Sequence, residues 1–536
     1  MRRLSVLLFL SLLSGAGMQA HGEPPAAAGG SDPLQKFFQL YRYLDRFYID
    51  QVDADALIGG AVEGMLGRLD PHSAYITAEE MQGVDASFDG EFSGIGVEFN
   101  ILRDTLIVVN TIAGGPAERV GMQPNDRIVR IDMLDAVGLT RAQVPGLLRG
   151  KRGTRVEIDV VRRGLPTLLH FVVERDRIPL NTIDAAYSDD GIGYIKVNRF
   201  GRTTVSEFRE AYRKLGKPRQ LILDLRGNGG GLLEQAIEMA GFFLPRGARI
   251  VSTEGRAVAE MSYSASSDGE ALGSELVVLI DEGSASASEI VAGAVQDWDR
   301  GVVIGRPSFG KGLVQRQVRF DDGSAARITV ARYHTPSGRV IQRPYENGNR
   351  RQYYLDHLRR YDDAACDSLD AAAPLYRTLH AGRIVHGDGG IRPDILVEAD
   401  TVGYSPYYAT LIRRGVVGDY ATAYLEKERA RLEAEYPAEE LFVVGYAVDD
   451  AMLRGLVAEG EQRGIAFDEE DFAVSASRMR VQLKALVAQR LFGTGAYYRV
   501  VNPVSGEAYS RAVALLRDWE HLGRPLLEPG NAASAY

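Results

Sequence analysis

Between residues 190 and 345 the sequence alternates short, wholly apolar runs with segments of helical length. Ile192 to Val197, Leu221 to Leu225, Leu276 to Ile280 and Val302 to Ile304 read as buried strands. Thr204 to Leu215, Leu232 to Leu244 and the stretch ending at Trp298 read as helices between them. Strands without a polar face must be covered on both sides, which implies βαβ units and a largely parallel sheet. Sites on such sheets open at the carboxyl ends of the strands. Two small-residue turns fall there, Gly229 to Gly231 and Ser284 to Ser288.

The second turn reads Gly283-Ser284-Ala285-Ser286-Ala287-Ser288-Glu289, three hydroxyls among small residues. After a helix-sized gap comes Phe309-Gly310-Lys311-Gly312-Leu313-Val314-Gln315. A serine alcohol is a weak nucleophile near pH 7 and needs an adjacent base; a lysine stripped of its proton by burial can be one. Such a lysine must titrate about three pH units below roughly 10.4, which asks folding for about 4 kcal/mol of desolvation. Phe309, Leu313 and Val314 are the expected apolar walls, and Gln315 can orient the amine without adding a charge. Spacing alone does not choose among Ser284, Ser286 and Ser288, any of which can cap a helix. A serine–histidine–acid triad is the competing arrangement, with His72 and His334 inside the motif blocks. Glu289 and Asp297 are expected to cap or to form salt bridges.

At 536 residues the chain is too long for one ordinary domain. Its net charge of −10 argues against nucleic acid as the main partner. Zinc-type spacing, a phosphate-cradling loop and a dinucleotide fingerprint are missing from the sequence, so chemistry without cofactor or metal is expected. Met1-Arg2-Arg3 and the apolar run Leu4 to Leu13 read as a signal peptide over residues 1–20, with cleavage near Ala20. That run is about half of what crosses a bilayer. The single cysteine, Cys366, makes no internal disulfide, which suits an exported protein of a bacterial periplasm. Membrane association through an uncleaved leader is the second option.

Residues 34–80 read as helical, with Phe37, Phe38, Leu40, Tyr41, Leu44 and Tyr48 forming a stripe expected to pack in a core or on a partner. A second helix, Ala54 to Leu69, ends before Asp70-Pro71. From 88 to 175 the pattern turns to short β-rich segments: Gly94-Ile95-Gly96-Val97-Glu98-Phe99, then Leu106 to Val109, Gly114-Gly115-Pro116-Ala117, and Asn125-Asp126-Arg127-Ile128. This order resembles a PDZ domain, in which a peptide C-terminus adds to a strand edge and its carboxylate meets the amides of a glycine turn. Gly94, Ile95, Gly96 and Val97 are the matching peptide-binding positions. Asn125, where a glycine often sits, tolerates the same left-handed turn. Residues 401–536 read as a helical extension for packing or dimerisation, and 346–386 as an insertion without an assigned role.

Together, Leu69-Asp70-Pro71-His72-Ser73, the PDZ-like module, Asp224-Leu225-Arg226-Gly227-Asn228-Gly229-Gly230-Gly231, the serine turn, Phe309-Gly310-Lys311-Gly312 and Tyr333-His334-Thr335-Pro336-Ser337-Gly338 resemble the carboxyl-terminal processing peptidases, also called tail-specific proteases. A weaker echo lies at Gly390-Ile391-Arg392-Pro393-Asp394. The resemblance implies a crotonase-like α/β core over residues 176–400, an inserted PDZ domain, and helical regions at both ends. It implies Ser286 as nucleophile, Lys311 as general base 25 residues on, and Gln315 as the residue that positions the amine. The implied oxyanion donors are the amides of Ala287 and Gly230, although Gly229 stands where many relatives have proline. The expected partners are protein or peptide substrates with free C-termini; a homo-oligomer through the terminal helices and an adaptor are left open. Two further readings stand beside this one: a non-catalytic PDZ scaffold on a dead protease core, and a PDZ module that blocks the cleft at rest.

Overall fold

The computed structural model describes residues 32–102, 104–112, 114–162, 165–359, 373–398, 402–504 and 506–529. The expected leader and Cys366 lie outside the described residues. The chain divides after Gly64. In the first unit the helix Pro33–Phe47 starts at Asp32, whose side chain accepts the Leu34 amide, with proline at the first helical position. Its apolar stripe is not core: none of its residues is buried.

In the second unit a six-stranded sheet runs in the order Ile183–Asp189, Ile192–Val197, Gln220–Asp224, Glu275–Ile280, Val302–Gly305, Ile395–Leu396. Only the first pair is antiparallel. The helices Thr204–Lys214, Leu233–Gly241 and Ala287–Asp297 bury Phe208, Met239 and Val291 against Ile195, Leu223 and Val278 on one face. The alternate residues Tyr194, Ile222, Val277 and Ile304 face the other way, and the helical extension covers them. Its helix Glu507–Arg517 lays Tyr509, Ala512 and Leu516 on that face, with Trp519 just beyond. The extension is therefore part of the core, which accounts for the packing role expected of it. Leu516 is fully buried there, so Leu516→Ala is expected to cost about 2–5 kcal/mol of unfolding free energy. A shifted urea midpoint at unchanged slope checks this.

A second, antiparallel sheet was not foreseen. Ala325–His334 lies at its centre, flanked by Ala74–Ile76, Leu313–Arg319 and Arg249–Gly255, with Val258–Ser264 outermost. The segment read as helical to residue 80 thus contains a strand, because Ala74, Tyr75 and Ile76 pair with Arg327, Ala326 and Ala325. The described part of the 346–386 stretch contributes the helix Arg350–Arg359 and the hairpin Leu375–Arg377 with Ile384–His386.

The PDZ-like module holds a six-stranded antiparallel sheet around Ile95, Leu106, Val108, Ile128, Ile158 and Val160. A two-stranded ribbon, Glu91–Gly94 with Asp176–Pro179, carries it. The rest of the extension, residues 406–501, packs its helices around Leu425, Phe442, Met479 and Leu483. It touches the module through polar groups: Arg127 grips Glu426 at 2.8 and 3.0 Å. Asn100 donates to Asp419 at 2.7 Å, and Asp419 also takes Arg463 at 2.6 Å.

Candidate active site

The strand Glu275–Ile280 delivers the serine turn beside the glycine turn that follows Gln220–Asp224. Two of the three hydroxyls hold these turns together. Ser284 Oγ donates to Leu225 O (2.8 Å) and accepts the Asp281 amide (2.9 Å). Ser288 Oγ donates to Asn228 O (2.8 Å). Ser286 differs: half-buried, it stands at the N-terminus of Ala287–Asp297 with φ 55° and ψ −110°. A non-glycine residue persists in such a conformation only when its surroundings hold it there.

Glu289 supplies that hold. Its carboxylate accepts the amides of Ser286 (2.7 Å), Gly310 (2.7 Å) and Lys311 (2.9 Å), and the hydroxyl of Ser308. It is fully buried, and burial raises its pKa while these four donors oppose the rise. One side chain therefore fastens the serine turn to the lysine turn. Sequence reasoning had allotted it only capping or a salt bridge. Asp297, given the same reading, forms a wholly buried ion pair with Arg339.

Gly310 needs to be glycine. Its φ is 83°, and a Cβ there would meet Arg343 Cγ at 2.4 Å. The turn sends Lys311 into a site where burial lowers its pKa, with the nearby Arg327 cation adding to the effect. Glu289 and Asp70 pull the other way. Lys311 Nζ donates to Gln315 Oε1 at 3.1 Å, and Gln315 Nε2 donates to His72 O at 2.6 Å. A bulge between Val314 and Gln315 re-aims the glutamine off the regular strand register. Among the described residues Lys311 Nζ makes no hydrogen bond to Ser286 Oγ; its partner here is Gln315. The two residues are nonetheless neighbours. The buried Tyr333 hydroxyl donates to Lys311 O (2.6 Å) and lies 3.2 Å from Ser286 O. Of the expected walls, Leu313 is buried, Val314 packs on the main core and Phe309 lies under the Arg343 guanidinium.

The glycine turn presses on the serine. Gly230 has φ 94°, and a Cβ on it would stand 2.8 Å from Ser286 Cβ and 2.9 Å from Ala287 N. Its amide donates to Asn228 Oδ1 at 2.9 Å, so the N–H expected to face an oxyanion is engaged within the turn. A buried amide without a ligand takes such a partner. The Ala287 amide opens the helix beside it, in the first turn, where N–H groups lack intrahelical acceptors.

Neither histidine ring hydrogen-bonds Ser286 among the described residues. His72 Nε2 lies 3.2 Å from the Tyr353 hydroxyl, and burial, then Lys311, lowers its pKa to about 4. What His72 offers the site is its carbonyl, a backbone group with no signature in sequence. His334 Nδ1 sits 3.4 Å from Gly338 O on the antiparallel sheet.

In the PDZ-like module Gly94 ends one strand, Ile95 is buried, Gly96 has φ 76° and Val97 opens the strand Val97–Leu102. That strand pairs only with Thr105–Thr111 among the described residues, which makes it an edge strand of its sheet. Asn125 has φ 72°, the left-handed turn anticipated for it.

Residues 191–346 match the model of peptidase family S41, and residues 107–162 that of a PDZ domain. Residues 14–80 match the N-terminal domain of the activating protease CtpB, and 407–493 a family of unknown function. The carboxy-terminal processing protease CtpA of Bacillus subtilis is 34% identical over 321 residues, 59% of this chain and 68% of that protein. A probable CtpA-like serine protease of Staphylococcus aureus (strain N315) is 35% identical over 313 residues, 58% of this chain and 62% of that protein. Among solved structures, the photosystem II D1 C-terminal processing protease shows 30% identity with a TM-score of 0.34, covering 57% of this chain and 84% of that one. A PDZ domain joined to an S41 core defines a serine-type peptidase. The chain belongs to the family of carboxy-terminal processing proteases.

Proposed function

We propose that this protein is an exported endopeptidase that takes protein C-termini on its PDZ domain and cleaves with Ser286 as nucleophile, Lys311 as general base and Gln315 as the guide of the amine. The observation that carries the reading is the Tyr333 hydroxyl, which donates to Lys311 O and lies 3.2 Å from Ser286 O, with a strained serine and a buried lysine on either side of it. In acylation, neutral Lys311 Nζ takes the Ser286 Oγ proton as Oγ bonds to the scissile carbonyl carbon. The oxyanion that forms meets the Ala287 amide, joined by Gly230 N–H once it leaves Asn228. Collapse expels the amine, which takes the proton back from Lys311. Water then attacks the ester carbonyl carbon, giving one proton to Lys311 Nζ, and the acid leaves as Ser286 Oγ takes that proton from the lysine.

Substrates are flexible tails, since an extended strand is what the edge strand Val97–Leu102 accepts. The leader-like Leu4 to Leu13 supports export to a bacterial periplasm. No described helix is long and apolar enough to cross a membrane. Mass spectrometry of products from a library of C-terminal peptides tests the proposal. Wild type is expected to yield internal cuts that Ser286→Ala does not; equal products from both would overturn it.

A further inference from the structure

The Leu69-Asp70-Pro71-His72-Ser73 motif has no part in the chemistry above, yet its turn ends on the lysine's guide. Asp70 is buried, and its carboxylate gathers four donors. Oδ1 accepts the amides of His72 (2.9 Å) and Ser73 (3.0 Å) and the Thr329 hydroxyl (2.9 Å), while Oδ2 accepts the Ser73 hydroxyl (2.5 Å). Burial alone would raise its pKa; these donors outweigh it and hold the group ionised below the usual range. Pro71 narrows the turn further by fixing its own φ. Ser73 Oγ in turn accepts the Thr329 amide (3.2 Å), and Thr329 stands in register with Gln315.

Besides the through-space pull of its charge on Lys311, this turn reaches the lysine by hydrogen bonds through the His72 carbonyl. It accepts Gln315 Nε2, which obliges the opposite end of the amide, Oε1, to face Lys311. A side-chain amide rotated by half a turn would aim its NH2 at the lysine, repelling the ammonium and occupying the lone pair of the neutral amine. The geometry points to Asp70 as a positioning residue for the general base: its carboxylate aims the His72 carbonyl, the carbonyl fixes the face of Gln315, and Gln315 holds the amine of Lys311. This rests on the Ser286–Lys311 reading and names a part of that machinery that lies three hydrogen bonds from the amine.

The test uses the full chain and a peptide substrate, measuring kcat, KM and the acid limb of kcat/KM against pH. Asp70→Asn is expected to lower kcat about 10- to 100-fold, within what a positioned acid–base group contributes, with KM within about twofold. Its acid limb should move to lower pH, because the ammonium loses an aimed acceptor and a nearby anion, both of which favour its charged form. Gln315→Ala should lose a similar factor, and the double variant should be no worse than Gln315→Ala alone, since both act through one contact. Losses that multiply, a kcat loss without a shifted limb, or wild-type kinetics in Asp70→Asn would each overturn the assignment. Should Asp70→Asn fail to fold, Thr329→Val removes one donor at the turn's flank and is expected to give a smaller loss with the same direction of shift; an unmoved limb would overturn it equally. Lys311→Ala separates this from the underlying reading. Full activity there sinks the dyad and the role of Asp70 with it, whereas an inactive Lys311→Ala beside a normal Asp70→Asn sinks the positioning role alone.

Discussion

Lys311→Ala is expected to lower kcat/KM for a flexible peptide by about 10⁴-fold or more, the scale on which removing one member of a nucleophile–base unit acts. With Lys311 gone, the proposed mechanism leaves Ser286 without its general base. Lys311→Arg should not rescue activity, because a guanidinium stays charged where a buried amine need not. The wild-type rate should rise with pH as Lys311 loses its proton, and the limb should lie below the ordinary lysine range, because burial and then Arg327 lower that pKa. Arg327→Gln removes a like charge and should shift the limb upward. A rate profile is the measurement; a limb that ignores Arg327, or a Lys311→Ala variant at full rate, would transfer the base role elsewhere.

The second large effect concerns the carboxylate that never touches substrate. Glu289→Ala strands the amides of Ser286, Gly310 and Lys311 and the Ser308 hydroxyl around a position that is itself fully buried. Each orphaned donor costs about 1–3 kcal/mol, and partial relaxation brings the expected loss to about 3–5 kcal/mol of unfolding free energy. Labelling of Ser286 by a serine-reactive phosphonate should collapse at the same time, because φ 55° at that residue has lost its restraint. Peptide binding by the PDZ domain should persist. Glu289→Gln keeps one acceptor oxygen but turns an NH2 toward at least one of the amides, so it is expected to recover only part of the loss. Denaturant unfolding and labelling kinetics read the two effects separately, and a Glu289→Ala protein within 1 kcal/mol of wild type, by the same scale, would refute the account.

The parallel sheet was legible because its strands are apolar at every position, a pattern that only two-sided burial explains. The same reasoning contains the clue to the extension. Three helices between residues 204 and 297 pack on one face, so the other face had to be covered from elsewhere, and Glu507–Arg517 is the helix that does it. What the sequence hid was long-range and carried by backbone. The antiparallel sheet joins residues 74–76 to 325–327, some 250 positions apart, and no local pattern announces such a pairing. The bulge at Gln315 and the carbonyl of His72 have no residue type of their own. Only a resemblance singles out Ser286 in the sequence; that the hydroxyls of Ser284 and Ser288 are tied to Leu225 O and Asn228 O is a fact of packing. The stripe on Pro33–Phe47 is a case of the opposite kind, because helical spacing announces an apolar face and leaves open what covers it.

The extension meets its two neighbours by different physics. Against the core sheet it buries Tyr509, Leu516 and Trp519, while against the PDZ domain it offers Glu426 and Asp419 to Arg127 and Asn100. Raising ionic strength weakens the Arg127–Glu426 pair in part and leaves the apolar contact intact. In brine, then, this enzyme would keep its body whole while its reading head slackens on a two-stranded tether.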